Sequence, residues 1–203
     1  MNNLYIYALY LLGDDMYAIN LNTDLILVNK DYALDKNYVP NNLVKINNNF
    51  STKEIFICKK VKYYFEKMCN DALNNNLRII AMSGYRDYEY QKNLYNEYLK
   101  FDKKEIVDTY SAKPGHSEHQ TGLAIDVCTD KKDYIEFINT SEYIWLKDNC
   151  HKYGFIIRYN KNKENITGYK FEPWHIRYVG NSAKYIYDNN ITLEEYLKIV
   201  RNL

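Results

Sequence analysis

Two short stretches of the sequence place histidine close to carboxylate residues. The first, "PGHSEHQTGLAIDV" (residues 114–127), is a glycine-containing loop followed by an apolar strand, and it holds His119 and, seven residues later, Asp126. The second, "EPWH", places Glu172 three residues before His175. An acidic residue inside an apolar strand needs a partner, because burying an unpaired carboxylate is costly. A bound cation is the simplest partner.

The residue types suit a catalytic zinc ion. Two histidines and one aspartate form a plausible three-ligand set that keeps a fourth position open for water. A nearby glutamate that does not bind the metal would then be a general base for that water. The HExxH pattern of thermolysin-type proteases is absent from the sequence. A single loop histidine is usually a polar surface residue and an aspartate after a turn is usually a cap, so only the conjunction favours a metal site.

The elements around these stretches are predicted from hydrophobic periodicity and turn residues. "LRIIAMSGYRDYEYQKNLYNEYL" predicts a short strand, a Ser-Gly turn and a helix from about Asp87, with Arg86 at the edge of the strand. "EYIWLKDNCHKYGF" predicts a helix that ends at Gly154. "FIIRY" and "GYKFEPWHIRYVG" flank the turn-prone "NKNKENITG", which favours a β-hairpin.

Two capping boxes predict further helices. Ser51 with Glu54 precedes apolar residues that recur every three or four positions, and Thr192 with Glu195 precedes "LEEYLKIVRNL". At the other end of the chain, "MNNLYIYALYLLGDD" predicts a first strand, and "DLILVNKDYALDKNYVPNNLV" predicts a strand followed by an extended segment that wraps the surface. These elements together predict an α+β fold, a single domain with a central antiparallel β-sheet flanked by helices.

Length and charge limit the function classes. The 203 residues predict one domain (1–203), with an N-terminal strand and wrapping segment (1–50) and a catalytic core (51–203). The net charge of +1 gives no reason to expect a nucleic-acid partner. The apolar run at the N-terminus is too short to span a bilayer and lacks the features of a signal peptide, so stable membrane insertion is not expected.

Cysteine usage bears on the compartment. The four cysteines form no CxxC pair, so they are expected to be free thiols, and free thiols favour a reducing compartment. A cytoplasmic location is therefore favoured, with an extracytoplasmic one if a leader has been removed. The sequence leaves the oligomeric state open.

The chemistry-bearing stretches resemble those of a known family. "SEHQTGLAID" resembles the SxHxxGxAxD motif of the VanY-type D-Ala-D-Ala carboxypeptidases (peptidase family M15, subfamily B). "EPWH" resembles their ExxH motif, and "SGYRDYEYQ" their SGYRS-like segment. The resemblance extends over about residues 25–200 with the motifs in the expected order. "YGFIIRYNKNKENITGYKFEPWHIRYVG" and "TLEEYL" are similar to the VanXY-type dual dipeptidase/carboxypeptidases of glycopeptide resistance, which are cytoplasmic.

This resemblance implies a fold of the Hedgehog/DD-peptidase type and a role for each catalytic residue. His119, Asp126 and His175 would bind one Zn²⁺. Glu172 would take a proton from the attacking water and pass it to the departing amine. Arg86 would stabilise the oxyanion of the tetrahedral intermediate, a task that suits a permanently charged guanidinium.

The resemblance also implies how a small peptide substrate is held. Ser117 and Gln91 match positions that bind the C-terminal carboxylate of the substrate in the family. Trp174 and Tyr159 would form walls of the pocket, although packing in the core is an equally good interpretation of these two aromatic residues.

Three further residues near these motifs are expected to have no role in metal binding. His116 precedes the motif, and the family does not require a histidine there. His151 lies near a predicted helix end and is interpreted as a capping or surface residue. Cys128 lies on the same strand face as Asp126 and is interpreted as a packed thiol.

The implied activity is zinc-dependent removal of the terminal D-Ala from peptidoglycan precursor peptides, with D-Ala-D-Ala dipeptide as a second substrate. Two other activities stay open on the same scaffold, an L,D-carboxypeptidase and an L,D-endopeptidase acting on cell-wall peptides. Two alternatives outside the enzyme class are an inactive wall-peptide-binding module and a sensor domain that binds the peptide without cutting it. The presence of every implied catalytic residue argues against an inactive module.

Overall fold

The computed structural model describes residues 16–17, 23–130 and 134–201. The strands are β1 (Met16–Tyr17), β2 (Tyr32–Ala33), β3 (Leu43–Lys45), β4 (Phe56–Cys58), β5 (Ile80–Ser83), β6 (Ala124–Cys128), β7 (Phe155–Ile157) and β8 (His175–Tyr178). The helices are α1 (Lys59–Leu73), α2 (Tyr88–Tyr98), α3 (Lys104–Val107), α4 (Ser141–Asn149), α5 (Glu164–Thr167), α6 (Ser182–Asp188) and α7 (Leu193–Arg201). Short 3₁₀ helices span Asn48–Phe50, Glu118–Thr121, Tyr134–Asn139 and Cys150–Tyr153.

A four-stranded sheet in the order β5-β6-β8-β7 lies at the centre of the molecule, and every neighbouring pair in it is antiparallel. In its register Asp126 of β6 lies opposite His175 of β8 on one side and Ser83 of β5 on the other. The described residues also form a two-stranded antiparallel sheet (β3-β4) and a parallel pair (β1-β2). The predicted α+β fold with an antiparallel sheet is confirmed.

Helix α1 supplies much of the hydrophobic core. Its buried side chains are Val61, Phe65, Met68, Cys69 and Ala72, and apart from the adjacent pair Met68–Cys69 they recur every three or four residues, which places them on one face. They belong to the same cluster as residues of the central sheet and as Ile26 and Val28 from the N-terminal part of the chain. The wrapping segment therefore shares its core with the rest of the domain.

The capping box predicted at Ser51 and Glu54 is wrong. Helix α1 begins at Lys59 with Cys58 as its N-cap, and no side chain caps it. Ser51 instead forms a parallel bridge with Ala81, and Glu54 forms an ion pair with Lys45. The physical reason lies in Ile55 and Ile57, which are both buried, because a two-residue period directs this stretch into β4 instead of a helical turn.

The other helix ends agree with the prediction. Asp87 is the N-cap of α2, and its side chain accepts a hydrogen bond from the backbone N–H of Tyr90. Gly154 ends the helical stretch after α4 with φ +83°, in the left-handed region that favours glycine. At α7 the Thr192 hydroxyl oxygen accepts from the N–H of Glu195 (3.1 Å), and the Glu195 carboxylate accepts from the N–H of Thr192 (2.8 Å).

The strand predictions are only partly correct. Strands β7 and β8 pair as predicted, but β8 begins at His175, and the connection before it contains α5. The stretch from Asp24 to Val28 forms a turn and an isolated bridge instead of a regular strand. The first predicted strand, residues 1–15, lies outside the described residues. Among the helices of the described ranges, none has the length and apolar character needed to cross a membrane.

Candidate active site

An open cavity of about 480 Å³ lies along one end of the central sheet. It brings together all nine residues to which the sequence analysis assigns a role at the site: Arg86, Gln91, Ser117, His119, Asp126, Tyr159, Glu172, Trp174 and His175. These residues come from loops, strands and helices and are separated by up to 89 positions in the chain. The sheet register and the loops around it therefore create the site.

The predicted metal ligands converge within this cavity. His119 Nε2 lies 3.2 Å from Asp126 Oδ2, and His175 Nδ1 lies 3.1 Å from Asp126 Oδ1. One ligand atom from each of the three residues lies within 4.8 Å of the other two, and all three residues are buried. His119 is oriented by its other ring nitrogen, because Nδ1 lies 2.6 Å from the carbonyl oxygen of Gly84.

These three residues fit a zinc ion. The buried Nε2 of His119 has no hydrogen-bond partner in the described part of the chain, although its other nitrogen is bonded. A buried polar atom without a partner is costly unless a ligand satisfies it. Ligands at about 2.0–2.2 Å from a tetrahedral zinc ion lie about 3.4 Å from one another, close to the separations found here.

The protonation states follow from burial and neighbouring charge. Burial disfavours the Asp126 carboxylate, but His119 and His175 outweigh burial and hold the pKa of Asp126 well below its usual value. Burial, together with the Arg86 charge, lowers the pKa of His119. Burial would also lower the pKa of His175, but its contacts with Asp126 and Glu118 raise that pKa to about 9. The site thus keeps an anionic aspartate beside a neutral His119.

Glu172 is placed as a general base would be. Its Oε2 lies 3.6 Å from His175 Nδ1, and a turn in which the N–H of His175 donates to the carbonyl of Glu172 (3.2 Å) fixes the two residues relative to each other. Burial raises the pKa of Glu172 to about 7. A carboxyl group with a pKa near neutrality can both accept and return a proton at neutral pH.

Arg86 presents its positive charge to the same cavity. Its Nη1 lies 3.8 Å from Asp126 Oδ2 and 3.4 Å from Ser83 Oγ, and its backbone N–H donates to the carbonyl of His119 (3.3 Å). The buried Nε of Arg86 has no hydrogen-bond partner among the described residues. Helix α2 begins two residues later, at Tyr88, so the short turn between β5 and α2 holds this guanidinium at the cavity wall.

Ser117 and Gln91 are both buried at the cavity. The Ser117 hydroxyl oxygen accepts a hydrogen bond from the N–H of His119 (3.4 Å), which leaves its hydroxyl proton to be donated. Gln91 Nε2 donates to the carbonyl of Ala112 (2.8 Å), so its Oε1 is the atom without a partner among the described residues. In this orientation Gln91 offers an acceptor, and binding of a carboxylate by Gln91 requires its amide to rotate.

The two predicted wall residues differ in their surroundings. The ring of Tyr159 is buried, and its centroid lies 4.9 Å from that of His175. Trp174 is half-buried and packs against the main hydrophobic cluster while lining the cavity. Tyr159 therefore restricts the orientation of the His175 ring. Trp174 both packs in the core and forms a wall of the cavity.

The remaining residues singled out in the sequence, His116, His151 and Cys128, do not belong to the ligand cluster. The Nδ1 atom of the buried His116 lies 2.7 Å from the carbonyl oxygen of Asn29. His151 lies in the 3₁₀ helix that follows α4 and stacks on Tyr187 at 3.8 Å between ring centroids. Cys128 is buried at the end of β6, and none of Cys58, Cys69, Cys128 and Cys150 forms a disulfide bond within the described residues.

Sequence reasoning missed a buried carboxylate at the floor of the cavity. Glu118 lies between two predicted site residues, and its side chain contacts Arg158, Arg177 and His175. The pattern Ile-Arg-Tyr occurs twice, at residues 157–159 where β7 ends and at residues 176–178 within β8. An arginine within an apolar strand needs a buried anion, so this repeat could have indicated a buried acidic partner.

Comparison with known proteins gives the family. The sequence profile described as "VanY: D-alanyl-D-alanine carboxypeptidase" matches residues 54–181. The YodJ protein of Bacillus subtilis (strain 168) is 43% identical over 191 residues, which cover 88% of this chain and 68% of YodJ. The chain spans 54% to 68% of the length of three curated relatives that it matches.

Two solved structures show the same fold. The LdcB LD-carboxypeptidase superposes with a TM-score of 0.87 at 40% identity and covers 94% of this chain and 93% of its own. A zinc(II) complex of a mutant of the vancomycin resistance D,D-pentapeptidase VanY, from a VanB-type resistance cassette, has a TM-score of 0.73 at 34% identity and covers 86% and 98%. The profile match, these relatives and the shared metallopeptidase fold agree with the motifs and their geometry. The chain therefore belongs to the VanY family of D-alanyl-D-alanine carboxypeptidases.

Proposed function

We propose that this protein is a zinc-dependent D,D-carboxypeptidase that removes the terminal D-Ala from peptidoglycan precursor peptides. The observation that carries the proposal is a single cavity in which the cluster of His119, Asp126 and His175 lies beside Glu172 and Arg86. The VanY relative, a D,D-pentapeptidase in complex with Zn(II), supports both the metal and the bond. One zinc ion held by the three ligands would supply Lewis-acid activation of the scissile carbonyl and of water.

The protein's own groups perform the remaining steps. Glu172 accepts the proton of the attacking water and delivers it to the nitrogen of the leaving D-Ala. Arg86 faces the cavity with its permanent charge, where it stabilises the negative charge that develops on the carbonyl oxygen. The Ser117 hydroxyl donates a hydrogen bond to the C-terminal carboxylate of the substrate.

The size of the cavity supports a peptide longer than a dipeptide. A volume of about 480 Å³ lies in the range of roughly 300–1,000 Å³ found for sites that hold drug-sized ligands. The lining extends beyond the catalytic groups to Tyr90, Tyr98 and Tyr110, which provide apolar surface for additional residues. The dipeptide D-Ala-D-Ala would contact only the inner part of this cavity.

An L,D-carboxypeptidase is the second candidate, because the LD-carboxypeptidase LdcB superposes with the higher TM-score of the two structures compared. An L,D-carboxypeptidase would act on a tetrapeptide with a single terminal D-Ala. The D,D and L,D substrates differ in the configuration of the residue before the scissile bond, so the two activities can be separated with defined peptides.

The test is release of free D-Ala by the zinc-loaded protein from a stem pentapeptide, the corresponding tetrapeptide and D-Ala-D-Ala dipeptide, each with and without chelator. We expect chelator-sensitive release that is fastest from the pentapeptide. Faster release from the tetrapeptide would establish the L,D activity instead, and efficient release from the dipeptide would add a resistance-type dipeptidase activity. Stoichiometric peptide binding without release would overturn the proposal in favour of a binding module or sensor.

A further inference from the structure

Glu118 is a fully buried carboxylate next to the cluster of His119, Asp126 and His175. The proposed chemistry does not use Glu118. Its Oε1 accepts a hydrogen bond of 2.8 Å from Arg158 Nε and another of 2.6 Å from Arg177 Nη1. All three side chains are 0% exposed. Burying three charged side chains carries a large desolvation penalty, which is offset only where each charge is paired and hydrogen-bonded.

Both arginines are themselves held in place. Arg158 Nη1 and Nη2 donate to the two carboxylate oxygens of Glu194 at 2.9 and 2.6 Å, as a bidentate pair. Arg177 donates from Nη2 to the carbonyl oxygens of Ile26 (2.7 Å) and Asp24 (3.1 Å). The Oε1 end of Glu118 is consequently fixed from two sides, and the carboxylate cannot rotate without breaking these bonds.

The other oxygen of Glu118 points towards a metal ligand. Oε2 lies 3.4 Å from Nε2 of His175, within ion-pair distance, and neither atom has a hydrogen-bond partner of good geometry within the described residues. The opposite ring nitrogen, Nδ1, lies 3.1 Å from Asp126 and 3.6 Å from Glu172. The imidazole of His175 thus has one nitrogen directed at Glu118 and the other at the ligand cluster.

We propose that Glu118 is a positioning residue that accepts the Nε2–H of His175 and thereby makes Nδ1 the nitrogen that binds zinc. A carboxylate that accepts from the second nitrogen of a ligating histidine fixes its tautomer and ring orientation and raises its basicity. The proposal rests on the proposed zinc site and specifies which ring nitrogen of His175 binds the zinc ion. The two arginines and two glutamates of this cluster cancel in charge, so the group adds no net repulsion towards a cation.

The direct test is NMR of the zinc-loaded protein labelled with ¹⁵N in its histidines. With four histidines in the chain, the ring signals can be assigned by single substitutions of His116 and His151. We expect a proton on Nε2 of His175 and zinc on Nδ1. A proton on Nδ1 with zinc on Nε2 would overturn the proposal, and this measurement on the wild-type protein needs no variant to fold.

A variant comparison measures the effect on the metal. Glutamine has only one side-chain oxygen, so in Glu118→Gln either the arginines or His175 must face an amide NH₂ group. We expect zinc affinity, measured by competition with a chelator, to fall about 10- to 100-fold. The matched control is Glu194→Gln, which alters a buried partner of Arg158 that has no contact with His175.

We expect both variants to have a lower unfolding temperature. Only Glu118→Gln should bind zinc more weakly, and only in this variant should the visible spectrum of the cobalt-substituted protein change. Equal zinc affinity in the two variants would contradict a positioning role and leave Glu118 as a structural residue. These readouts do not depend on hydrolysis. A wild-type protein that binds zinc as described but cleaves no peptide would refute the proposed function and leave this inference intact.

Discussion

At the scale of single residues, the environment of Glu172 decides what its carboxylate can do. Its burial next to a cluster that already contains Asp126 raises its pKa to about 7, whereas Asp126, with a histidine on each side, keeps a low pKa. Two carboxylates in one cavity thus have different proton affinities. The group with the higher pKa suits proton transfer, and the group with the lower pKa suits metal binding.

Glu172→Gln keeps the size of the side chain and removes its basicity. We expect kcat to fall about 10²- to 10⁴-fold, the usual contribution of a general base, with zinc content unchanged because Glu172 is not a ligand. The measurement is D-Ala release together with metal analysis of the purified variant. Substantial turnover by the zinc-loaded variant would assign the base to another group.

The pH dependence of kcat/KM reports on the same carboxyl group. A base must be deprotonated to act, so activity should rise with pH through its pKa. Because a bound cation lowers the pKa of about 7 that burial produces, we expect the rising limb at or below pH 7. The limb should disappear in Glu172→Gln, and a limb that persists unchanged in the variant would belong to a different group.

Arg86→Gln removes the positive charge that we propose stabilises the oxyanion. We expect kcat to fall about 10²- to 10³-fold with little change in zinc affinity, as for the loss of one oxyanion donor. Arg86→Lys should recover only part of the rate, since lysine cannot reproduce the planar guanidinium. Steady-state kinetics of the two variants decide the point, and a loss confined to KM would indicate substrate binding instead.

At the scale of elements, the turn after β5 links the sheet to the cluster of proposed metal ligands. Gly84 follows β5 directly, and its carbonyl oxygen lies 2.6 Å from Nδ1 of His119. A Cβ at this position would lie 2.6 Å from a methyl carbon of Ile55 and 2.7 Å from the carbonyl oxygen of Phe56. Only glycine lets β4 and this turn approach so closely.

Gly84→Ala is therefore expected to shift the turn and with it His119. Overpacking at such a site costs about 1–3 kcal/mol, and zinc affinity should fall as the carbonyl that orients His119 moves. Gly168→Ala is the control, because the φ of +77° at Gly168 also disfavours a Cβ, while Gly168 lies in the turn after α5, outside the lining of the catalytic cavity. Chemical denaturation and chelator competition should show lower stability in both variants and weaker zinc binding in Gly84→Ala alone.

At the scale of the whole molecule, the buried ion cluster joins segments far apart in the chain. Arg177 of β8 binds carbonyl oxygens near residue 25, and Arg158, just after β7, binds Glu194 in α7. Burial alone would raise the pKa of Glu194, but Arg158 outweighs it and the pKa is lowered. The N-terminal segment, the hairpin and the last helix are thereby fixed to the floor of the active site.

This cluster predicts a specific acid sensitivity. A carboxyl group with a lowered pKa in the folded state contributes stability that is fully present above its unfolded pKa of about 4.5 and is lost as the pH falls through the folded pKa. We expect Glu194→Gln to be less stable than the wild type at pH 7, with a difference that shrinks below pH 4.5. Urea unfolding at several pH values measures this, and a difference that is constant from pH 7 to pH 3 would contradict it.

The local parts of the fold could be predicted because they depend on neighbouring residues. The cap at Asp87, the glycine stop at Gly154 and the Thr192–Glu195 box each act within one helical turn. The Ser51–Glu54 box has the same local pattern and fails, because Ile55 and Ile57 are buried and Ile57 pairs with Val44 of β3. Tertiary packing there outweighs a capping preference worth about 1 kcal/mol.

The sequence by itself determined the α+β class and the ligand types through strand patterns and motif spacing, and its resemblance to a known family implied that His119, Asp126, His175, Glu172 and Arg86 act at one site. Only the tertiary structure decided the register that sets Asp126 opposite His175, the amide orientation of Gln91 and the burial of Glu118 between two arginines. Each of these depends on contacts between residues distant in the chain. The chemistry of a side chain is local, whereas its orientation and its proton affinity are set by whatever the fold packs around it.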